Sequence, residues 1–279
     1  MRVGINQSCI MQARMEEFLR ACGNAEIAEV ELRVPKLQEV HYHLDAAAIK
    51  DLLDQNRMIV TAINSLEDFG LVPDGNMPIL RREVETMVDF CRTCGCSLVV
   101  APVARWFEER TDRGWITETT AKRLRYIADI LGDAGIEVGL EPIAFESFTV
   151  WSLEHAAEIK ELSGAKNVSL VADVYNLARG ESTPTSMQRF GSEISMIHVN
   201  DSPSDDFGSL DLVHDRTFPG EGVLRPEEWV QQAQAGGFAG WCSIEIFPEA
   251  VWSLETSEAA RLCASKCDRF GQLLGGQAQ

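Results

Sequence analysis

The sequence has 279 residues, of which 45% are hydrophobic and 24% are charged, the composition of an ordinary globular protein with a large core. Its formal net charge of −18 repels phosphate groups and anionic lipid surfaces, and no block of Lys and Arg offsets it. We therefore expect neither nucleic acid nor a membrane as a partner, and a small neutral polar molecule fits the charge better.

The first residues and the cysteines indicate a cellular compartment. Residues 1–10 are too short and too polar for a secretion signal, and no apolar run approaches the roughly 20 residues of a membrane span. Cys91, Cys94 and Cys96 lie close together, but no second Cys or His pair follows at a matching distance for zinc. We interpret the thiols as packing residues in a reducing compartment and expect a cytoplasmic protein.

Eight short runs of β-type composition alternate with longer stretches of helical periodicity along the chain. The β-type runs cover residues 3–6, 27–34, 58–65, 97–102, 136–142, 168–174, 194–200 and 241–247. This alternation predicts a parallel sheet with crossover helices, and eight repeats favour a closed (β/α)8 TIM barrel in which residues 1–279 form one domain. The alternative is a doubly wound open sheet, but no Gly-x-Gly-x-x-Gly follows the first run to support its dinucleotide-binding version.

Helical stretches are predicted between and after the strands. They cover residues 11–22, 45–55, 77–94, 117–134, 152–162, 183–190, 226–235 and 255–274. Asp45 is a suitable N-cap, Pro226 suits a first helical turn, and Gly95 and Gly135 each follow a helix at a position that favours glycine.

Barrel enzymes carry their catalytic residues at the carboxyl ends of the strands. The last four predicted strands each end with a side chain that can bind a metal, and the alternation of each strand turns that side chain toward the barrel axis. These residues are Glu141, Asp173, His198 and Glu245. Alone, such a glutamate usually caps a helix and such a histidine usually packs in a core. Four of them on consecutive strands instead predict a site.

Three carboxylates that converge in a barrel mouth repel one another, so either their pKa values rise or a cation neutralises them. A histidine nitrogen beside three carboxylates suits a divalent ion. We therefore expect one ion, Mn²⁺ before Mg²⁺, Co²⁺ or Zn²⁺.

Two segments after strands offer further candidates. The long loop after the seventh strand contains Arg216, which is placed to reach an oxygen-rich ligand; the alternative is a surface arginine. Trp106, after the fourth strand, offers an aromatic wall for a sugar-like ring; the alternative is a loop packed on the rim.

Together these residues resemble the xylose isomerase-like TIM barrel superfamily of sugar isomerases and epimerases, over essentially the whole chain. The resemblance rests on five stretches: Gly139-Leu140-Glu141-Pro142, Leu170-Val171-Ala172-Asp173, Ile197-His198-Val199-Asn200-Asp201, Pro219-Gly220-Glu221-Gly222 and Ser243-Ile244-Glu245-Ile246-Phe247. The layout is most similar to the 2-keto-myo-inositol (inosose) isomerases, which share the stretches Glu31-Leu32-Arg33 and Asp215-Arg216-Thr217-Phe218-Pro219-Gly220.

The resemblance implies roles for individual residues. It implies that the four strand-end side chains are metal ligands and that Glu141 and Glu245 also handle protons. It implies that Arg216 and Glu146, a polar residue just after the fifth strand, touch the substrate. Asn176 departs from the family, since many members carry a substrate-contacting histidine at that position.

We expect a divalent-metal-dependent isomerase or epimerase of a keto-sugar or keto-inositol, which transfers a proton through a metal-stabilised enediolate. Its expected substrate is a small polyhydroxylated carbonyl compound. The chain is compatible with a homo-oligomer as well as with a monomer. The alternatives are a dehydratase of the 3-dehydroshikimate dehydratase type and a non-catalytic barrel subunit. A metallonuclease with this fold would need more histidines and a basic face.

Overall fold

The computed structural model describes residues 3–105, 112–180 and 182–275. Eight parallel strands form a closed barrel, in which each strand pairs with the next along the chain and the last pairs with the first. The strands are β1 (Val3–Asn6), β2 (Glu29–Arg33), β3 (Ile59–Asn64), β4 (Leu98–Pro102), β5 (Glu137–Glu141), β6 (Val168–Asp173), β7 (Ile194–Val199) and β8 (Trp241–Ile244). The predicted TIM barrel is confirmed, and the open-sheet alternative is wrong.

The eight strands fall within the eight predicted runs, and the largest difference is at the end of β8. This strand ends at Ile244, three residues before the predicted end. The Glu245 N–H still donates to the Val199 carbonyl at 3.3 Å, so Glu245 remains at the barrel mouth. The chain then turns away before Pro248, which has no N–H to continue the ladder.

Eleven α-helices lie in the described ranges, in chain order with the strands. They are α1 (Met15–Asn24), α2 (Val34–His41), α3 (Ala46–Gln55), α4 (Met77–Cys94), α5 (Arg113–Asp133), α6 (Leu153–Ser163), α7 (Val174–Arg179), α8 (Pro184–Phe190), α9 (Pro226–Ala235), α10 (Glu249–Trp252) and α11 (Thr256–Leu273). The short helices α2, α7 and α10 were not predicted. The first predicted helix begins four residues late, at Met15, and residues 7–10 before it form a 3-10 turn capped by the Asn6 side chain.

All eight cysteines are free and buried, which agrees with packing thiols. Among the described residues, no helix combines the length and apolar character that a membrane span requires.

The barrel interior is closed below the mouth by a small apolar cluster. Its members are Ala62, Leu98, Val100, Val171 and Met196. Gly139 lies beside this cluster, and a Cβ atom there would be only 2.5 Å from Val171 Cγ2. The glycine therefore leaves the space that Val171 fills, and polar side chains are confined to the strand ends above.

This close approach gives the first prediction. Gly139→Ala should lower the free energy of unfolding by about 1–3 kcal/mol, because the added methyl group overpacks the barrel interior. Urea denaturation measures the change. Gly271→Ala is the matched control, since nothing lies within 4 Å of a Cβ atom at that position of α11, and alanine should be neutral or stabilising there.

A second substitution tests the cause. In the Gly139→Ala, Val171→Ala double variant, the two losses should sum to more than the measured loss, because the smaller Val171 replacement accommodates the methyl group. Simple additivity would contradict this account.

Candidate metal and substrate site

The four predicted strand-end side chains meet at the barrel mouth. Glu141 ends β5, Asp173 ends β6, His198 lies near the end of β7, and Glu245 follows β8. One ligand atom from each of the four lies within 4.8 Å of the others, and all four residues are buried. The structure therefore brings together the whole predicted set, which we call the four-residue cluster.

Asp173 is held by neighbours on three sides. Its Oδ1 accepts the Asn176 N–H at 2.8 Å and so caps α7. Its Oδ2 accepts hydrogen bonds from Asn200 Nδ2 and from Arg216 Nη1, both at 2.8 Å. The carboxylate is fully buried, and these donors compensate for the lost contact with water.

His198 lies between carboxylates on both edges of its ring. Nδ1 is 2.8 Å from Glu141 Oε1 and 3.4 Å from Glu245 Oε2, on the side of the four-residue cluster. Nε2 is 3.0 Å from Glu31 Oε1, on the opposite side. Burial opposes the charged form, but the three glutamates Glu31, Glu245 and Glu141 raise the pKa of His198 well above its usual value.

Glu31 and Glu141 contact the same imidazole but have opposite pKa shifts. Burial raises the pKa of Glu141 to about 7 against the pull of His198, and the charges of Glu245 and Asp173 raise it further. Burial acts the same way on Glu31, but contacts with His198, Asn64 and Ser243 hold its pKa at about 2. The difference comes from the surroundings: Glu141 adjoins two carboxylates, whereas Glu31 receives several donors.

Glu245 receives donors from the first three strands of the barrel and from Arg216. Asn6 Nδ2 donates to its Oε1 at 3.1 Å, Asn64 Nδ2 is 3.4 Å from the same oxygen, and Arg33 Nη1 lies 3.5 Å away. Arg216 Nη1 is 3.2 Å from its Oε2. The carboxylate is therefore held in one orientation by groups from three strands and one loop.

The loop between β7 and α9 delivers Arg216 into the mouth, where it is only 7% exposed. Asp201 organises this loop: its Oδ1 accepts the N–H groups of Ser202 and Leu224, and its Oδ2 accepts that of Gly220. The Arg216 guanidinium lies 5.3 Å from the centre of the Tyr175 ring. Arg216 reaches the mouth as the sequence predicted.

A cavity of about 220 Å³ opens above the four-residue cluster. Of the four cluster residues, Glu141 and Glu245 line this cavity, whereas Asp173 and His198 lie beneath it. The predicted residue Asn176 also lines it. The remaining lining residues are Arg33, Asn64, Ser65, Glu67, Asp68, Pro102, Val103, Arg105, Ile143, Phe148, Leu212, Val213, Arg216, Phe247.

One predicted substrate residue, Glu146, is not brought to the cavity. The Glu146 side chain is 84% exposed and forms an ion pair with Arg179 at 3.0 Å. Arg179 is fixed over the Phe145 ring, 4.0 Å from its centre, and so draws Glu146 away from the mouth. The substrate contact of Glu146 stays a prediction that the geometry does not support. Trp106 lies outside the described residues.

Several polar residues of the site were missed from the sequence. Glu31 is an inward-facing residue of β2, and Asn6 and Asn64 end β1 and β3. Ser243 precedes Glu245 by two positions on the same face of β8, and its Oγ donates to Glu31 Oε2 at 2.8 Å. The alternation rule that found the four-residue cluster would have found these residues as well if it had been applied to β1, β2 and β3 and to the earlier residues of β8.

The four-residue cluster has the donor set of a divalent-ion site. Bonds from zinc to imidazole nitrogen and carboxylate oxygen are about 2.0–2.2 Å, so ligand atoms around one ion lie up to about 4.4 Å apart. The observed limit of 4.8 Å needs only small side-chain adjustments. Three oxygen donors and one nitrogen donor suit Mn²⁺, Co²⁺ or Zn²⁺.

Comparison with known proteins places the chain in a family. A sequence model described as a xylose isomerase-like TIM barrel matches residues 19–264. The chain belongs to this family. An inosose isomerase of Bacillus velezensis is 25% identical over 264 residues, covering 94% of both chains. An inosose isomerase of Bacillus subtilis is 27% identical over 199 residues, covering 71% of both. These relatives confirm the expected enzyme class, an isomerase.

A solved structure shares the fold over nearly the whole chain. The IolI protein, whose crystal structure contains a bound zinc atom, has a TM-score of 0.89 at 22% identity. The alignment covers 99% of this chain and 98% of that one.

The Asp201 contacts give the second prediction. Asp201→Asn should loosen the loop, because the amide nitrogen that replaces one carboxylate oxygen cannot accept a backbone N–H; replacing Oδ2, for example, removes the bond from Gly220. A lost hydrogen bond to a charged group costs about 1.5–3 kcal/mol. Hydrogen–deuterium exchange of residues 202–224 should speed up accordingly.

Asp205→Asn is the control, because Asp205 lies in the same loop and is exposed. Equal exchange rates in the Asp201→Asn variant and the parent would show that Asp201 does not organise the loop.

Proposed function

We propose that this isomerase is metal-dependent and moves a proton between adjacent carbons of an uncharged keto-polyol of the inosose type. The observation that most directly supports this proposal is that Glu141 and Glu245 belong both to the four-residue cluster and to the cavity wall. A substrate in the cavity would therefore lie against these two carboxylates. The inosose isomerases among the relatives support the substrate class.

The proposed metal ligands are Glu141, Asp173, His198 through Nδ1, and Glu245. A divalent ion held there would supply Lewis-acid polarisation of the substrate carbonyl. The zinc atom in the IolI structure supports Zn²⁺ as an ion to test beside Mn²⁺. Asp173 and His198 lie below the cavity, so their proposed role is limited to holding the ion.

Glu141 and Glu245 are the proposed proton carriers. Glu141 ends β5 and Glu245 follows β8, so the two carboxylates approach the cavity from different walls of the barrel. One carboxylate would take the proton from a substrate carbon, and the other would control its return to the neighbouring carbon. A positioned carboxylate base contributes roughly 10²- to 10⁴-fold in rate.

Arg216 and Arg33 are the proposed substrate-orienting residues. Their guanidinium carbons lie on the Phe247 ring, each 5.7 Å from its centre. Both line the cavity beside Glu245, so their N–H groups are placed to donate to hydroxyl or carbonyl oxygens of a polyol. Asn176 adds an amide to the lining of the same cavity and is the proposed determinant of substrate preference.

The charges around the cavity favour an uncharged substrate. In the described lining, each guanidinium already has carboxylate partners: Arg33 lies near Glu245, Arg216 contacts Asp173 and Glu245, and Arg105 donates to Asp68 Oδ1 at 3.2 Å. A carboxylated substrate would therefore meet no surplus positive charge from these side chains. This favours isomerisation of a neutral ketone over the dehydratase alternative, whose substrate, 3-dehydroshikimate, is an acid.

The function is tested by substrate screening in D₂O. The protein loaded with Zn²⁺ or Mn²⁺ should exchange the carbon-bound hydrogen next to the carbonyl of an inosose with solvent deuterium and convert it to an isomer. It should not dehydrate 3-dehydroshikimate, and removal of the metal by a chelator should abolish exchange. Turnover of 3-dehydroshikimate alone, or exchange that is indifferent to chelation, would refute the proposal.

The two glutamates are tested one at a time. Glu141→Gln and Glu245→Gln should each reduce kcat by roughly 10²-fold or more on the substrate found in the screen, because an amide cannot accept the proton. Glu137→Gln is the control, since Glu137 begins β5 at the far end of the barrel. A variant that binds metal normally and exchanges deuterium at the parental rate would exclude its glutamate as a proton carrier.

A further inference from the structure

Glu31 is a buried carboxylate that the proposed reaction does not use. It is fully buried on β2, and both of its oxygens have partners. Oε1 accepts from Asn64 Nδ2 at 2.8 Å and lies 3.0 Å from His198 Nε2, while Oε2 accepts from Ser243 Oγ at 2.8 Å. Its position is therefore fixed by side chains from β3, β7 and β8.

The arrangement determines which nitrogen of His198 would keep its proton when a divalent ion binds at the other. An ionised carboxylate only accepts hydrogen bonds, so Nε2 must be the donor in its contact with Glu31. A neutral imidazole protonated at Nε2 has its lone pair on Nδ1. Nδ1 is the atom that faces Glu141 and Glu245.

We propose that Glu31 is a positioning residue that fixes His198 in the tautomer and ring orientation needed to bind a divalent ion through Nδ1. This inference rests on the metal site of the proposed function. Carboxylates that accept the second N–H of a ligating histidine orient the ring and increase its strength as a ligand. Glu31 is held firmly enough for this task, because it receives two further donors.

The geometry also separates Glu31 from the ligands themselves. It contacts His198 from the side opposite to Glu141. It does not belong to the four-residue cluster and is not among the residues that line the cavity. Glu31 therefore acts through His198 and is not expected to touch the ion or the substrate.

Glu31→Gln tests the inference by metal affinity. Glutamine keeps the size and an acceptor oxygen but removes the charge, so the affinity for Zn²⁺, measured by competition with a chelator, should fall about 10- to 100-fold. Glu29→Gln is the control: Glu29 is also buried and lies two residues earlier on the same strand. Its variant should keep the parent's affinity.

A spectroscopic readout distinguishes positioning from general structural support. In zinc-loaded protein labelled with ¹⁵N at histidine, His198 should show a slowly exchanging proton on Nε2 and none on Nδ1. Glu31→Gln should move this proton resonance upfield and speed its exchange with water. Loss of folding stability alone would not produce that change.

Ser243→Ala keeps the charge of Glu31 but removes one donor, so it should cause a smaller loss of affinity in the same direction. It decides the question if Glu31→Gln does not fold. Unchanged affinity and an unchanged Nε2–H resonance in the folded variants would overturn the role of Glu31 while leaving the metal site intact. A parent protein that binds no divalent ion would overturn the proposed function, and this inference with it.

Discussion

The constraint on which the site depends is the burial of four carboxylates around one imidazole. Glu31, Glu141, Asp173 and Glu245 all lie within reach of His198 or of one another, at a depth where unpaired charges are unfavourable. Each must therefore have donors or cations as partners. Most other polar residues of the mouth serve this need, and they come from β1, β2, β3 and β8 and from the loop that carries Arg216.

The loop between β7 and α9 follows from the same constraint. Its cation, Arg216, must reach Asp173 and Glu245 from outside the barrel, so the loop has to fold inward along a fixed path. Asp201 provides that path by accepting three backbone N–H groups. Gly222 is needed there because a Cβ atom would lie 2.1 Å from the Ser202 carbonyl oxygen. Gly222 thus helps to fix the path that brings Arg216 to the two carboxylates.

The sequence predicted the parts that depend on periodicity and failed where tertiary contacts decide. Alternation along β5 to β8 located the four-residue cluster, because strand geometry alone turns those side chains inward. The family resemblance implied a substrate contact for Glu146 from its position just after the fifth strand, but Arg179, on a helix the sequence did not reveal, competes for its carboxylate. The helix Val34–His41 was missed as well, although Pro35 lies in its first turn, a position where proline favours the start of a helix.

The layers of the barrel separate metal binding from substrate choice. An apolar cluster fills the axis, the proposed ligands come from strand ends directly above it, and much of the cavity wall comes from the loops that follow the strands. Phe148, Leu212 and Phe247 belong to those loops and do not contribute to the four-residue cluster. Substitutions in this wall can reshape the cavity without disturbing the buried charges. The rigid strand ends therefore fix the type of chemistry, and the loops are free to select among related substrates.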